Sequence, residues 1–393
     1  MKSKKNLEIY IHIPFCARKC EYCDFLSFVT PVSAHREYTD KLIEEIRGER
    51  AGLRDYVVSS IFIGGGTPSV LPSQCIVQIM EAVWENYEVA QDAEITLEAN
   101  PGTLTAIKLS DYRKAGINRI SLGLQSADDW ELGILGRIHT YDEFLKSYQR
   151  VRLAGFHNVN VDLMSAVPGQ TLESWEKTLK KVLMLKPEHI SAYSLIVEEG
   201  TPFYDTYRGG RESFPSLPDE ETEREMYYLT NELLSRHGYH RYEISNYARP
   251  GRECRHNMGY WTGVDYIGMG LGASSYVSGY RFRKERDLKV YLDMSKKRGF
   301  PGNLYQEISL LSTREKMEEF MFLGLRMTDG ISGSEFASRF GQNMWNVYGE
   351  QMEGLKKEGL LEIREPYVRL TDRGIDISNY VLSQFLFPPD GNS

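Results

Sequence analysis

Six short runs in the first two hundred residues concentrate apolar and β-branched side chains: EIYIHI at 8–13, VSSIFI at 58–63, AEITLEA at 93–99, NRISLGL at 118–124, NVNVDLM at 158–164 and HISAYSL at 189–195. Each has the length and composition of a strand. The stretches between them, among them REYTDKLIEEIRGE, TLTAIKLSDYRKAG and LESWEKTLKKVLML, carry the spacing of helices. Strand and helix alternating with short connections predict an α/β fold. A parallel sheet would carry helices on its outer face, either as an open sheet or as a partly closed (β/α)6 barrel. In such folds the functional residues gather at the carboxyl ends of the strands.

From about residue 200 the rhythm breaks. The stretch 240–280, which includes RHNMGYWTGVDYIGMGLGASSY, has repeated glycines and no simple period, so it reads as loop-like or closely packed. Beyond it, TREKMEEFMFLGLRMTDGI, SEFASRFG and QMEGLKKEGLLEI read as amphipathic helices and YVRLTDRG as a small hairpin or wing. The expected division is therefore a barrel domain over 1–300, with 240–280 as an extension, and a smaller helix-rich, winged-helix-like domain over 301–393. The linker is placed near Phe300-Pro301-Gly302.

A net charge of −8 argues against a nucleic-acid binder that works by neutralising phosphates. No apolar run approaches the eighteen or so residues of a membrane span, and MKSKKNLEIYIHIPF lacks the apolar core of a signal peptide. The cytoplasm is the expected compartment. Five cysteines in 393 residues make no disulfide framework, and three of them fall within eight positions. That clustering favours a metal site in a reducing compartment. Cys75 reads as a small buried residue.

The three are Cys16, Cys20 and Cys23, in the loop PFCARKCEYCDF after the first strand. A loop with these spacings can hold three corners of an iron–sulfur cluster and leave the fourth iron without a protein ligand. A zinc site would need a fourth donor, for which His12 and His35 are the candidates. Gly64-Gly65-Gly66-Thr67-Pro68 ends the second strand, where absent side chains let a ligand lie on the backbone, although a tight turn explains the glycines equally well. Glu98 and Asp162 end apolar strands, where an unpaired carboxylate is costly. Each is either a ligand group or a buried partner of an arginine.

The CxxxCxxC run after the first strand, with GGGTP after the second, resembles the radical S-adenosylmethionine (SAM) superfamily. The resemblance implies a partial TIM-type barrel and a [4Fe–4S] cluster on Cys16, Cys20 and Cys23, with SAM chelating the open iron. Electron transfer then breaks the sulfonium C–S bond to give a 5′-deoxyadenosyl radical. It also implies that Gly64, Gly65, Gly66 and Thr67 contact SAM, that Glu98, Gln125, Arg137 and Asp162 surround it, and that Tyr10 stands beside it and the cluster.

YIHIPFC, GGGTPS, EANPGT, SLGLQS, LGRIH and DLMSAVPGQT, in this order, resemble the oxygen-independent coproporphyrinogen III oxidase family. Three departures point to its haem-chaperone branch, HemW. Phe25 stands where the oxidases carry a further cysteine, the arm ahead of Cys16 is short, and His256-Asn257-Met258-Gly259-Tyr260-Trp261 fits the HNxxYW motif of that branch. The resemblance implies that His256 is a haem ligand. Read from the residues alone, the motif fits either a haem contact or a packed loop with His256 satisfying a carbonyl. Arg252 and Arg255 are candidates for haem propionates or for solvated surface, and Cys254 is a further candidate iron ligand. The implied function is a haem chaperone binding the cluster, SAM and haem and delivering haem to apo-haemoproteins. Its recipients would include respiratory proteins, reached at the membrane through a partner. The implied rivals are anaerobic coproporphyrinogen III decarboxylation and radical chemistry on haem or another substrate; Phe25 and the short arm count against the former. Oligomeric state is not set by the sequence, and a homodimer stays open.

Overall fold

The computed structural model describes residues 4–209, 214–294 and 299–387. Six strands, β1 (Lys5–Ile13), β2 (Tyr56–Gly65), β3 (Val89–Ala99), β4 (Arg119–Gln125), β5 (Val159–Ser165) and β6 (His189–Ser194), pair in chain order, each parallel to the next. The helices α1 (Val32–Glu49), α2 (Ser73–Asn86), α3 (Ala106–Lys114), α4 (Asp129–Ile134), α5 (Tyr141–Leu153) and α6 (Leu172–Leu185) connect them. Two more, α7 (Pro202–Arg208) and α8 (Glu220–Arg236), follow β6. This is the α/β architecture expected from the alternation.

The stretch 240–280 is not a loop. It forms β7 (His240–Arg241), β8 (Asn246–Ala248), the helix α9 (Arg255–Thr262), β9 (Asp265–Met269) and β10 (Ser274–Val277), followed by β11 (Tyr280–Lys284), α10 (Leu288–Met294) and β12 (Tyr305–Leu310). The complete sheet has twelve strands in the order β12-β11-β10-β9-β1-β2-β3-β4-β5-β6-β8-β7. Thus β9 lies parallel to β1 on one flank of the barrel strands and β8 antiparallel to β6 on the other. Gly259 sets α9 close: a Cβ there would stand 2.0 Å from Glu8 Oε1 of β1.

Because successive side chains of a strand point to opposite faces, the barrel strands separate two kinds of residue. Leu7, Ile9, Ile11 and Ile13 of β1, Ile61 and Ile63 of β2, Ile120 and Leu122 of β4, and Val161 and Leu163 of β5 belong to the main apolar core. The alternate positions are polar: Glu8, Tyr10 and His12 on β1, Glu94, Thr96 and Glu98 on β3, Arg119 and Ser121 on β4, and Asn160 and Asp162 on β5. Closed TIM barrels fill the lumen with branched apolar layers. Here it is lined with hydrogen-bonding groups, which costs stability unless they are partnered or serve a ligand.

The last segment has its own core, including Met321, Phe336, Tyr348, Met352, Val368 and Phe385. Its order is α11 (Thr313–Gly324), β13 (Ile331–Ser332), α12 (Gly333–Phe340), α13 (Met344–Lys357), β14 (Leu361–Arg364), β15 (Tyr367–Leu370), α14 (Asp372–Asp376) and α15 (Ser378–Ser383). The three strands form a separate sheet, β13-β15-β14, which completes a winged-helix-like order. β12, by contrast, is the edge strand of the large sheet. Among the described residues no helix is long and apolar enough to cross a membrane.

Candidate functional site

The cysteine loop is fixed at both ends. Cys16 N donates to Phe28 O (2.9 Å) and Phe28 N to Pro14 O (2.8 Å), while His12 Nε2 is hydrogen-bonded to Leu26 O (2.8 Å). Cys16, Cys20 and Cys23 line one cavity of about 390 Å³, together with Gly65, Gly66, Thr67, Glu98, Gln125, Arg137 and Asp162. Five strand ends therefore converge on one space, as the fold rule requires. Among the described residues no three His, Cys, Asp or Glu side chains converge on a point that would hold a single metal ion. The thiols surround a volume.

Each thiol has a distinct neighbour. Cys16 Sγ lies 3.5 Å from Thr67 Oγ1, whose oxygen also accepts from Asn100 Nδ2 at 2.9 Å. Arg137 donates to Cys20 Sγ (3.5 Å), Asn100 Oδ1 (2.7 Å) and the carbonyl of Gly123 (2.9 Å). Burial, with Cys20 and Cys16 nearby, pushes the Cys23 thiol up to about 11, so iron must displace a proton there. Gln125 has a left-handed backbone (φ 71°), uncommon outside glycine, which turns the chain at the end of β4 into the cavity.

Gly65, Gly66 and Thr67 line this cavity, and the space that side chains on the three glycines would take is filled from within the protein. A Cβ on Gly64 would meet Glu98 Oε2 and Phe62 at 2.8 Å, one on Gly65 the His12 ring at 2.4 Å, and one on Gly66 the carbonyl of Phe15 at 2.7 Å. Protein atoms already occupy these spaces. The amides are engaged too: Gly65 N donates to Glu98 Oε2, Gly66 N to Ile13 O and Thr67 N to Phe15 O. The carbonyl of Thr67 is engaged as well, accepting from Val70 N at 2.9 Å.

Glu98 is pushed up to about 8, first by burial and then by Asp162, while the Gly65 amide and Arg119 pull it down. Asp162 is also raised by burial, although Ser121 and Asn160 donate to it at 2.9 and 2.7 Å. Two raised carboxyls in one lumen suit a cationic ligand that would ionise them. Without it, Glu98 keeps its proton to higher pH in the folded chain than in the unfolded one. Stability is then fully present below about 4.5 and is lost as pH rises to about 8; Glu8, raised to about 9 by burial, extends the window. Urea midpoints of the ligand-free protein are expected to fall between pH 5 and 9, less steeply in Glu98→Gln.

Tyr10 and His12 do not line the cysteine cavity. They border a second space of about 270 Å³ that shares Gly65, Glu98 and Asp162 with it, and also a third of about 790 Å³. The third lies between the sheet and the C-terminal segment, with Tyr260, Trp261, Tyr266, Arg281, Phe320 and Arg339 among its lining. His256 lines none of these spaces. It is 1% exposed, with Nδ1 hydrogen-bonded to Ser60 Oγ (2.9 Å) and Nε2 to Tyr260 Oη (3.0 Å), and its ring stacks on Phe62. Burial and Arg119 lower it to about 3, so it is neutral. In this arrangement both of its nitrogens are committed inside the barrel, and neither is open to an iron. Cys254 is buried, its thiol donating to Glu94 Oε1 (3.3 Å). Arg255 pairs at the surface with Asp92, and neither it nor Arg252 lines the third cavity among the described residues. Sequence reasoning missed Asn100, Ser121 and the buried Arg119, and gave Tyr260, with Trp261, only the part of packing against a flat macrocycle.

Residues 10–182 match the Radical SAM superfamily and 311–377 the HemN C-terminal domain. Over 96% of its length the chain is 38% identical to the heme chaperone HemW of Bacillus subtilis, covering 98% of that protein. It is 36% identical to the heme chaperone HemW of Escherichia coli over 97% of its length and 98% of that protein's. The chain belongs to the HemW family. Among solved structures, coproporphyrinogen III oxidase (HemN) from Escherichia coli superposes with a TM-score of 0.85 over 98% of this chain and 90% of that one. At 24% identity that likeness establishes the fold. Membership of HemW, within the radical SAM superfamily, implies a [4Fe–4S] cluster and SAM. The residues fit both: three thiols round one volume with Arg137 beside one of them, and raised carboxyls next to it for a cation.

Proposed function

We propose that the protein is a haem chaperone: it holds a [4Fe–4S] cluster on Cys16, Cys20 and Cys23, binds SAM beside it, and carries haem for delivery to apo-haemoproteins. The observation that carries this reading is the adjacency of the spaces. Tyr10 and His12 border both the lumen next to the cysteines and a 790 Å³ cavity walled by the HNMGYW helix. That volume lies within the roughly 300–1,000 Å³ usual for cofactor-sized ligands. Its wall offers aromatic faces for a flat macrocycle and the cations Arg281, Lys316 and Arg339 for carboxylates.

When bound, cluster and SAM supply one-electron chemistry at the sulfonium. The chain's own residues would orient them: Arg137 would steady a cluster thiolate, and Glu98 and Asp162 would face the positive charge of SAM. His12, tied to Leu26 of the cysteine loop, transmits the order of that loop to the cavity beyond. Recipients are apo-haemoproteins, membrane respiratory proteins among them, met through protein contact.

The test is an anaerobic equilibrium titration of the cluster-loaded protein with haem, competed with coproporphyrinogen III. Saturable haem binding that the competitor displaces poorly supports the chaperone. Preferential binding and SAM-dependent consumption of coproporphyrinogen III would contradict it.

A further inference from the structure

The haem-carrier reading leaves open which atom meets the iron, because His256 is sealed. Four residues on, Tyr260 of the same helix α9 lines the 790 Å³ cavity. Its hydroxyl is hydrogen-bonded to His256 Nε2 at 3.0 Å, and its ring packs edge-on against Tyr266, another wall residue, at 4.6 Å between centroids. Behind it, His256 Nδ1 meets Ser60 Oγ at 2.9 Å, and Glu8 Oε2 lies 3.7 Å from the same nitrogen. Phenolate oxygen is an established axial ligand of ferric haem, and a ligand's far partner commonly sets its orientation and basicity.

Resting on that reading, we infer that Tyr260 is the ferric-haem ligand of the cavity, and that His256 is its positioning residue. On coordination the phenol O–H bond would be exchanged for an iron–oxygen bond, the proton leaving to the water of the cavity, and neutral His256 would hold the phenolate oxygen through Nε2–H. Ser60 Oγ fixes the far nitrogen of that imidazole, Nδ1, at 2.9 Å, and burial together with the charge of Arg119 on β4 keeps the ring neutral. Arg281 and Arg339 are held by Glu319 and Glu335 respectively, so a propionate would compete for cations that are already oriented. The geometry also explains why the motif pairs its histidine and tyrosine at a spacing of one helical turn.

The experiment is resonance Raman and visible absorption of ferric haem on the full-length, cluster-loaded protein. Wild type, Tyr260→Phe, His256→Ala and Ser274→Trp are compared, the last placing a bulky ring on the cavity wall from an exposed strand position. Phenolate modes and a phenolate-to-iron charge-transfer band are expected in the wild type and absent in Tyr260→Phe. His256→Ala should keep the signature with affinity reduced about 10–100-fold, and Ser274→Trp should lose binding with cluster content intact. A phenolate signature that survives Tyr260→Phe, or a histidine-type spectrum abolished by His256→Ala, would overturn the inference and leave the chaperone reading standing. Wild-type binding no tighter than to an unrelated protein would remove the chaperone reading itself, and the ligand assignment with it.

Discussion

Alanine at Cys16, at Cys20 or at Cys23 is expected to abolish the iron–sulfur cluster, with iron and sulfide after anaerobic reconstitution falling to background in each variant. The three thiols line one cavity, where each would serve a different corner of the cluster and none would be redundant. The fold should survive, because the loop is anchored by Phe15, Leu26 and Phe28 against the main core and by the backbone bonds of Cys16 and Phe28. Cys75→Ala and Cys254→Ala are the internal controls. Both residues are buried away from the cavity and should leave iron content unchanged. Retention of a full cluster in any of the first three variants would show that the loop does not supply the ligands.

Gly65→Ala is expected to destabilise the protein by about 2–5 kcal/mol and to weaken SAM binding by more than tenfold, from backbone strain and overpacking together. Gly65 has φ +108°, and its new Cβ would lie 2.4 Å from the His12 ring. That ring cannot retreat freely, since its two nitrogens hold Tyr10 Oη and Leu26 O. Gly102→Ala separates the two causes. It has φ +82° with nothing within 4 Å of a Cβ, so it carries the strain without the collision. Urea unfolding of the two variants, with SAM binding by calorimetry, checks both numbers. Equal effects on SAM affinity would mean that the contact with His12 is immaterial.

The barrel was legible because its strands alternate strictly, and the cysteine, glycine and carboxylate positions all fell at strand ends. The flanking strands were not. β9 joins β1 from more than two hundred residues away, and a short run with three glycines nearby gives no period from which that pairing could be read. The helix α9 was hidden for a related reason: HNMGYW buries His256 and Gly259 but spreads its aromatics to several sides, so it lacks an apolar stripe. The glycine loop was legible as a place of close approach, though not as to which atoms approach. GGGTP announces close approach, but the approaching atoms are Glu98, His12 and the backbone of β1's end. Similarly, a histidine in a haem-associated motif suggests a ligand, whereas burial and its two hydrogen bonds, invisible in one dimension, turn attention to the tyrosine one turn later.

The barrel interior joins the two ends of the molecule. Arg119, buried at 1% exposure, lies among the polar groups of the lumen, where its charge acts on Asp162 and Glu98 toward the SAM side and on Cys254 and His256 toward α9. Occupation of the SAM site and occupation of the cavity beyond α9 thus bear on one set of groups. In a delivery protein that arrangement would let cluster and SAM influence how firmly haem is held.

The most direct measurement is haem transfer: haem-loaded protein with its cluster intact, mixed anaerobically with a purified apo-haemoprotein, followed by the recipient's own visible spectrum and by its regained activity. The account predicts transfer faster than from free haem or from a passive haem-binding protein at the same haem concentration, and loss of that advantage when Tyr260→Phe is used. Transfer no faster than from the passive carrier would contradict a chaperone and leave only a haem-binding radical SAM protein.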